Sequence, residues 1–110
     1  MGGRRITTQR KYFLYNVRFH ILRIMSRIDK LLQKIIRGNS DSNIRFDDLC
    51  KVLDYFGFQN RLKGSHHIYY RYDVKEIINL QPKDGLSKSY QVKQIRDVLI
   101  KYNINKEEND

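Results

Sequence analysis

Leu14, Val17, Ile21, Ile24, Ile28, Leu31 and Ile35 recur at alternating steps of three and four, the spacing of one face of a helix. The spacing predicts a long helix ending at Arg37-Gly38, with Gly38 as its stop and Asn39-Ser40-Asp41-Ser42-Asn43 as a polar linker. Its beginning also fits a strand, because Phe13, Tyr15, Val17, Phe19 and Ile21 alternate at a period of two. A packing helix is the expectation, with a coiled coil or a basic membrane-surface helix as the alternative. A second stripe, Phe46, Leu49, Val52, Leu53 and Phe56, predicts a helix over Ile44 to Phe56. Asp47 and Asp48 suit the positive end of its dipole, Ile44 and Leu49 suit a hydrophobic staple, and Gly57 ends it. Arg45 is a poor N-cap there.

The period then falls to two. Phe58 to Lys63, His66 to Arg71 and Glu76 to Leu80 read as three strands of an antiparallel meander, the first two joined at Gly64-Ser65. Gln81 to Lys88 is a loop with Pro82 and Gly85. After Ser89, a fair N-cap, Val92, Ile95, Leu99 and Tyr102 mark the last helix, and Asn105 to Asp110 is a polar tail. Helix, helix, three strands, helix predicts an α+β fold with the helices on one face of a small sheet.

A chain of 110 residues holds one modest core. With 40% hydrophobic and 31% charged residues and no apolar run near membrane-spanning length, it reads as a soluble globular protein. The single cysteine, Cys50, excludes an internal disulfide and falls on the apolar side of the second helix, so a buried structural thiol in a reducing cytoplasm is expected. The net charge of +10 invites a polyanion, but it is unevenly spread. Seven basic residues and no acid precede Asp29, and the remainder has fifteen basic against twelve acidic residues. The folded domain is therefore only mildly basic.

Residues Met1 to Arg10 read as a disordered basic arm, with weak attraction to RNA as its expected role. Arg4-Arg5 do not make an export signal, since Arg18, His20 and Arg23 break the apolar stretch that would have to follow. Ile6 stands where myristoylation wants serine or threonine. Met25 offers a second start codon. The expected division is a basic extension at 1–24, a helix and linker at 25–43, the domain proper at 44–104 and the tail at 105–110.

Candidate chemistry gathers at Lys63-Gly64-Ser65-His66-His67-Ile68-Tyr69-Tyr70-Arg71, where a turn becomes an aromatic strand. Histidine takes and gives a proton near neutral pH, and Arg61, Lys63 and Arg71 are placed to hold a phosphate. A histidine at this position is, taken alone, more often a surface or core-edge residue than a catalyst. Adjacent histidines on a strand point to opposite faces, so His66 and His67 do not ligate one metal ion together.

At Gly57-Phe58, then Lys63-Gly64-Ser65-His66-His67-Ile68-Tyr69, then Val92 to Tyr102, the chain resembles the HicA family of bacterial toxins from type II toxin–antitoxin pairs. The resemblance covers about Ile44 to Ile104, and the stretch from Met25 looks like the longer opening of one branch of that family. It implies the fold of a double-stranded-RNA-binding domain, α-β-β-β-α, with an extra N-terminal helix here. It also implies a metal-independent endoribonuclease that cleaves mRNA, is neutralised by a HicB-type antitoxin protein, and needs no cofactor and no membrane. The family's essential histidine directly follows Gly-Ser, which here is His66. By proximity to it, Lys63, Ser65, His67 and Arg71 are the RNA- and phosphate-binding candidates, and His67 and Tyr69 are the candidates for a second acid or base, although strand alternation directs them away from His66. The chain departs from the family's commoner pattern at Asn79-Leu80-Gln81-Pro82-Lys83, which lacks a second histidine after the proline, and its last helix lacks the usual Gly-Thr start. Two rivals stand beside this expectation: a non-catalytic RNA-binding module of the same fold, and a surface that only binds other proteins.

Overall fold

The computed structural model describes Asn16 and residues 27–104, and over them the chain forms an α+β fold. Residues 27–37 are helical (α1), followed by a 3₁₀ turn at Asp41–Asn43 and a helix at Phe46–Tyr55 (α2). Three strands come next, Gln59–Lys63 (β1), His66–Arg71 (β2) and Val74–Leu80 (β3), and Ser89–Lys101 (α3) closes the fold. The sheet is antiparallel in the order β1-β2-β3. The basic arm, the apolar stripe up to Ile24 and the tail at 105–110 lie outside the described residues.

One face of the sheet is sealed. Tyr69, Val74, Ile78 and Leu80 join Leu49, Val52 and Leu53 of α2 and Val92, Ile95, Val98 and Leu99 of α3 in a single core, to which α1 adds Ile35. The three helices, β2 and β3 reach it through the stripes that their periodicity marks, whereas all five residues of β1 stay exposed. Gly38 ends α1 with φ +73°, and a Cβ there would come within 3.2 Å of the Arg96 guanidinium. Arg96 uses that space to donate to the Ile35 carbonyl (3.1 Å) and the Asp41 carboxylate (2.8 Å), so the expected linker is clamped between α1 and α3.

The second helix starts at Phe46 rather than Ile44, and its weak N-cap has a physical explanation. The Phe46 N–H donates to the Gly85 carbonyl (3.1 Å), and the Ser87 N–H donates to the Ile44 carbonyl (2.8 Å). The loop after β3 thus satisfies one of the amide donors that the start of a helix leaves unpaired, although Arg45 offers no side-chain cap. Ile44 is extended and fully buried in the N′ position of a staple, with Leu49 buried at N4. At α3, Ser89 is the first helical residue and Lys88 the N-cap, whose N–H donates to the Gln91 side chain (3.3 Å).

Register determines what the open face presents. Gly64, with φ +61°, occupies the first position of the two-residue β1–β2 turn, where a type II′ hairpin needs glycine, and Lys63 pairs with His66. Between β2 and β3, Arg71 pairs with Val74 but Tyr69 pairs with Ile78, so three residues of β3 oppose one of β2. A slip of one residue would exchange the faces of β3, whereas this slip of two preserves them and brings Gln81 opposite His66.

Candidate active site

The face of the sheet turned away from the helices carries Gln59, Arg61 and Lys63 from β1, His66, Ile68 and Tyr70 from β2, and Lys75, Ile77 and Asn79 from β3. No acidic residue lies among them. Glu76 projects to the helix side, where it accepts from Lys101 (3.0 Å) and from the Tyr102 hydroxyl (2.9 Å), and Asp73 pairs with Arg71. The open face therefore carries cations, Arg61, Lys63 and Lys75, and no acid although the domain's total charge is small, and strand alternation produces the separation.

His66 stands at the start of β2, exposed, with its Nδ1 2.9 Å from the Asn79 Oδ1. An amide oxygen can only accept, so in this contact Nδ1 donates, and Nε2 has no hydrogen-bond partner among the described residues. The turn beside it is pinned in the same way: the Gln81 amide donates to the Ser65 hydroxyl (3.0 Å). Lys63 is the direct cross-strand neighbour of His66 on the same face, which places the two Cβ atoms about 5 Å apart. At the β3 edge of the sheet this face borders α3, and there His66, Ile77, Asn79 and Gln81 line a hollow of about 300 Å³ together with Tyr90, Gln91 and Gln94 of the helix. An imidazole held at Nδ1, a neighbouring ammonium and an open hollow are the components of proton transfer at a bound phosphate ester.

The other two candidates are not brought to this site. His67 lies on the helix side, half-buried, its ring edge-on to Phe46 with centroids 4.8 Å apart. Arg71 is 9% exposed. Its guanidinium pairs with Asp73 (2.8 Å), donates to the Phe56 carbonyl (3.0 Å) and lies over the Phe58 ring, so it anchors the β2–β3 turn to the end of α2. Asn79 and Gln81 are not among the candidates that the sequence marks, since by family resemblance their segment shows only the absence of a histidine. The signal that finds them is cross-strand pairing, and it is visible only with the register irregularity included.

Cys50 is partly buried, and burial pushes its thiol above the ordinary range, as it does the neighbouring Tyr69 hydroxyl. This is a packing residue, not an activated nucleophile. Among the described residues no three His, Cys, Asp or Glu side chains gather as metal ligands, and no helix is long and apolar enough to cross a membrane. No family model, curated protein or solved structure matches the chain.

Proposed function

We propose that this protein is an mRNA-cleaving endoribonuclease of the HicA kind, acting in the cytoplasm through His66 and neutralised by a HicB-type antitoxin. The observation that carries the reading is the Nδ1–Asn79 contact, which leaves Nε2 as a base beside Lys63 on an acid-free face. Nε2 takes the proton from an RNA 2′-hydroxyl and the oxygen attacks the adjacent phosphorus. The bond to the 5′-oxygen breaks, and the imidazolium returns its proton to that leaving oxygen. The Lys63 ammonium offsets charge on the phosphate oxygens, and Ser65, held by Gln81, keeps the turn in place. One product end is then a 2′,3′-cyclic phosphate and the other a 5′-hydroxyl, with atoms and charge balanced and no cofactor consumed.

The test is cleavage of RNA by the purified protein in EDTA, beside His66→Ala, with the product ends identified. The expected result is cleavage by the unaltered protein alone, leaving the cyclic phosphate. Equal cleavage by both proteins overturns the role of His66. RNA binding without cleavage favours the non-catalytic module, which the cationic face would also serve.

A further inference from the structure

Tyr90 and Ile77 are each 64% exposed, and both line the hollow that contains His66. Single exposed apolar side chains are ordinary, but two large ones meeting in one concavity beside a candidate catalyst form a surface that a ligand can cover. The rest of the lining is carboxamide: Asn79, Gln81, Gln91 and Gln94, with no carboxylate. Three of these amides have structural partners, since Asn79 holds His66, Gln81 holds Ser65 and Gln91 accepts from the Lys88 N–H. Gln94 has no such contact among the described residues, and it lies one helical turn beyond Tyr90 on the same face of α3.

An aromatic ring and an aliphatic side chain offer flat apolar surface, and a carboxamide both donates and accepts. That pair of features fits a nucleobase, whose faces stack and whose edge carries donors and acceptors. A second hollow along α3 shares Tyr90 and Gln94 but adds Glu76, Asp97, Lys93 and Lys101. There the carboxylates repel a phosphate backbone, and both lysines are already paired, Lys93 to Asp97 (2.8 Å) and Lys101 to Glu76 (3.0 Å). The His66 end is thus the favourable one for a nucleotide.

We infer that Tyr90 stacks on the base of single-stranded RNA adjoining the phosphate at His66, and that Gln94 hydrogen-bonds the edge of that base. The inference deepens the ribonuclease reading and rests on it for the identity of the phosphate. It makes Tyr90 and Gln94 specificity-determining residues, and it selects single strands because the base faces of a duplex are already stacked.

The chain has no tryptophan, so Tyr90→Trp introduces a single indole, excited at wavelengths where the tyrosines do not absorb, that still stacks. The full chain carrying it is titrated with a single-stranded oligonucleotide blocked at every 2′-position, which binds but cannot be cut. Fluorescence is expected to fall on binding, whereas Tyr72→Trp, at a position 98% exposed in the β2–β3 turn, is expected to stay bright. Tyr90→Ala weakens binding about ten-fold and Tyr90→Phe restores it. Because the readout is binding, the two proposals fail separately. Quenching at position 90 without cleavage by the unaltered protein sustains the base subsite and overturns the ribonuclease. Cleavage with no quenching at position 90, or equal quenching by a duplex, overturns the subsite.

Discussion

The two faces of this three-stranded sheet use the same residue types for opposite purposes. On the helix side, Arg71 and Glu76 are each bound to a partner, Asp73 and Lys101, and Tyr69 is 3% exposed. On the open side, Lys63, Arg61 and Lys75 face solvent with no acid among them, and His66 is held by a neutral amide. Adjacent residues in β2 are divided by this rule, so that His66 belongs to the site and His67 to the packing against Phe46. A charged residue near a candidate catalyst in sequence therefore gains or loses a functional role according to the parity of its position. Arg71, five residues from His66 and of the same charge as Lys63, shows the difference plainly.

The largest contrast between the faces lies in the two histidines. His66→Ala should reduce RNA cleavage by about 10³-fold, the scale of lost general acid–base catalysis, with an unchanged melting temperature. His67→Ala should leave the cleavage rate within about two-fold while costing about 1 kcal/mol of stability through the lost contact with Phe46. Parallel rate and melting measurements on the two variants decide it. If His67→Ala removes cleavage at full stability, the division by face fails.

Arg71→Ala comes next. Its removal deprives the Phe56 carbonyl of its charged donor and leaves Asp73 unpaired, which should cost about 2–3 kcal/mol in urea unfolding. Below the melting transition the variant should cleave RNA normally. Lys63→Ala should do the reverse, weakening cleavage with little change in stability. A slower Arg71→Ala enzyme with unaltered unfolding would return Arg71 to the phosphate site.

The elements were legible in the sequence, and their pairing was not. Strand period, the Gly64-Ser65 turn and the three helical stripes placed β1, β2, β3 and α3 to within two residues, because β2, β3 and α3 are local patterns with one buried face and β1 is fixed to β2 by the tight turn, although its own residues are all exposed. The start of α2 was missed by two residues because its first N–H is satisfied by the distant Gly85 carbonyl. Asn79 and Gln81 depend on the three-against-one irregularity between β2 and β3, which no local pattern announces. The burial of Arg71 depends on Phe56 and Phe58, fifteen and thirteen residues away, whereas the acid-free face follows from strand alternation alone.

Asn79 sharpens the comparison at the site itself. It touches His66 and not, in this geometry, the reacting atoms, so it acts as a positioning residue. Asn79→Leu should lower kcat about ten-fold with KM nearly unchanged, because the imidazole loses the acceptor that fixes its tautomer. Asn79→Asp, which keeps an acceptor in place, should recover most of the rate. An Asn79→Asp enzyme no faster than Asn79→Leu would show that the contact is incidental.

The smallest effect belongs to Glu76, on the helix side. Hydrogen bonds from Lys101 and Tyr102 hold its carboxyl below the ordinary glutamate range. A carboxylate with a depressed folded-state pKa contributes stability above its unfolded pKa of about 4.3 and loses that contribution as pH falls through the folded value. Glu76→Gln should therefore lower the melting temperature slightly at pH 7, and the gap from the unaltered protein should close as pH falls below about 4. The Tyr102 hydroxyl, which also accepts from the Lys75 N–H (3.1 Å), keeps β3 attached to the end of α3 in both proteins. The cleavage rate at neutral pH should not change, since Glu76 faces away from His66. A gap that persists unchanged at low pH would mean that the ionised carboxylate contributes nothing to stability, and that the two faces differ less in their use of charge than the contacts indicate.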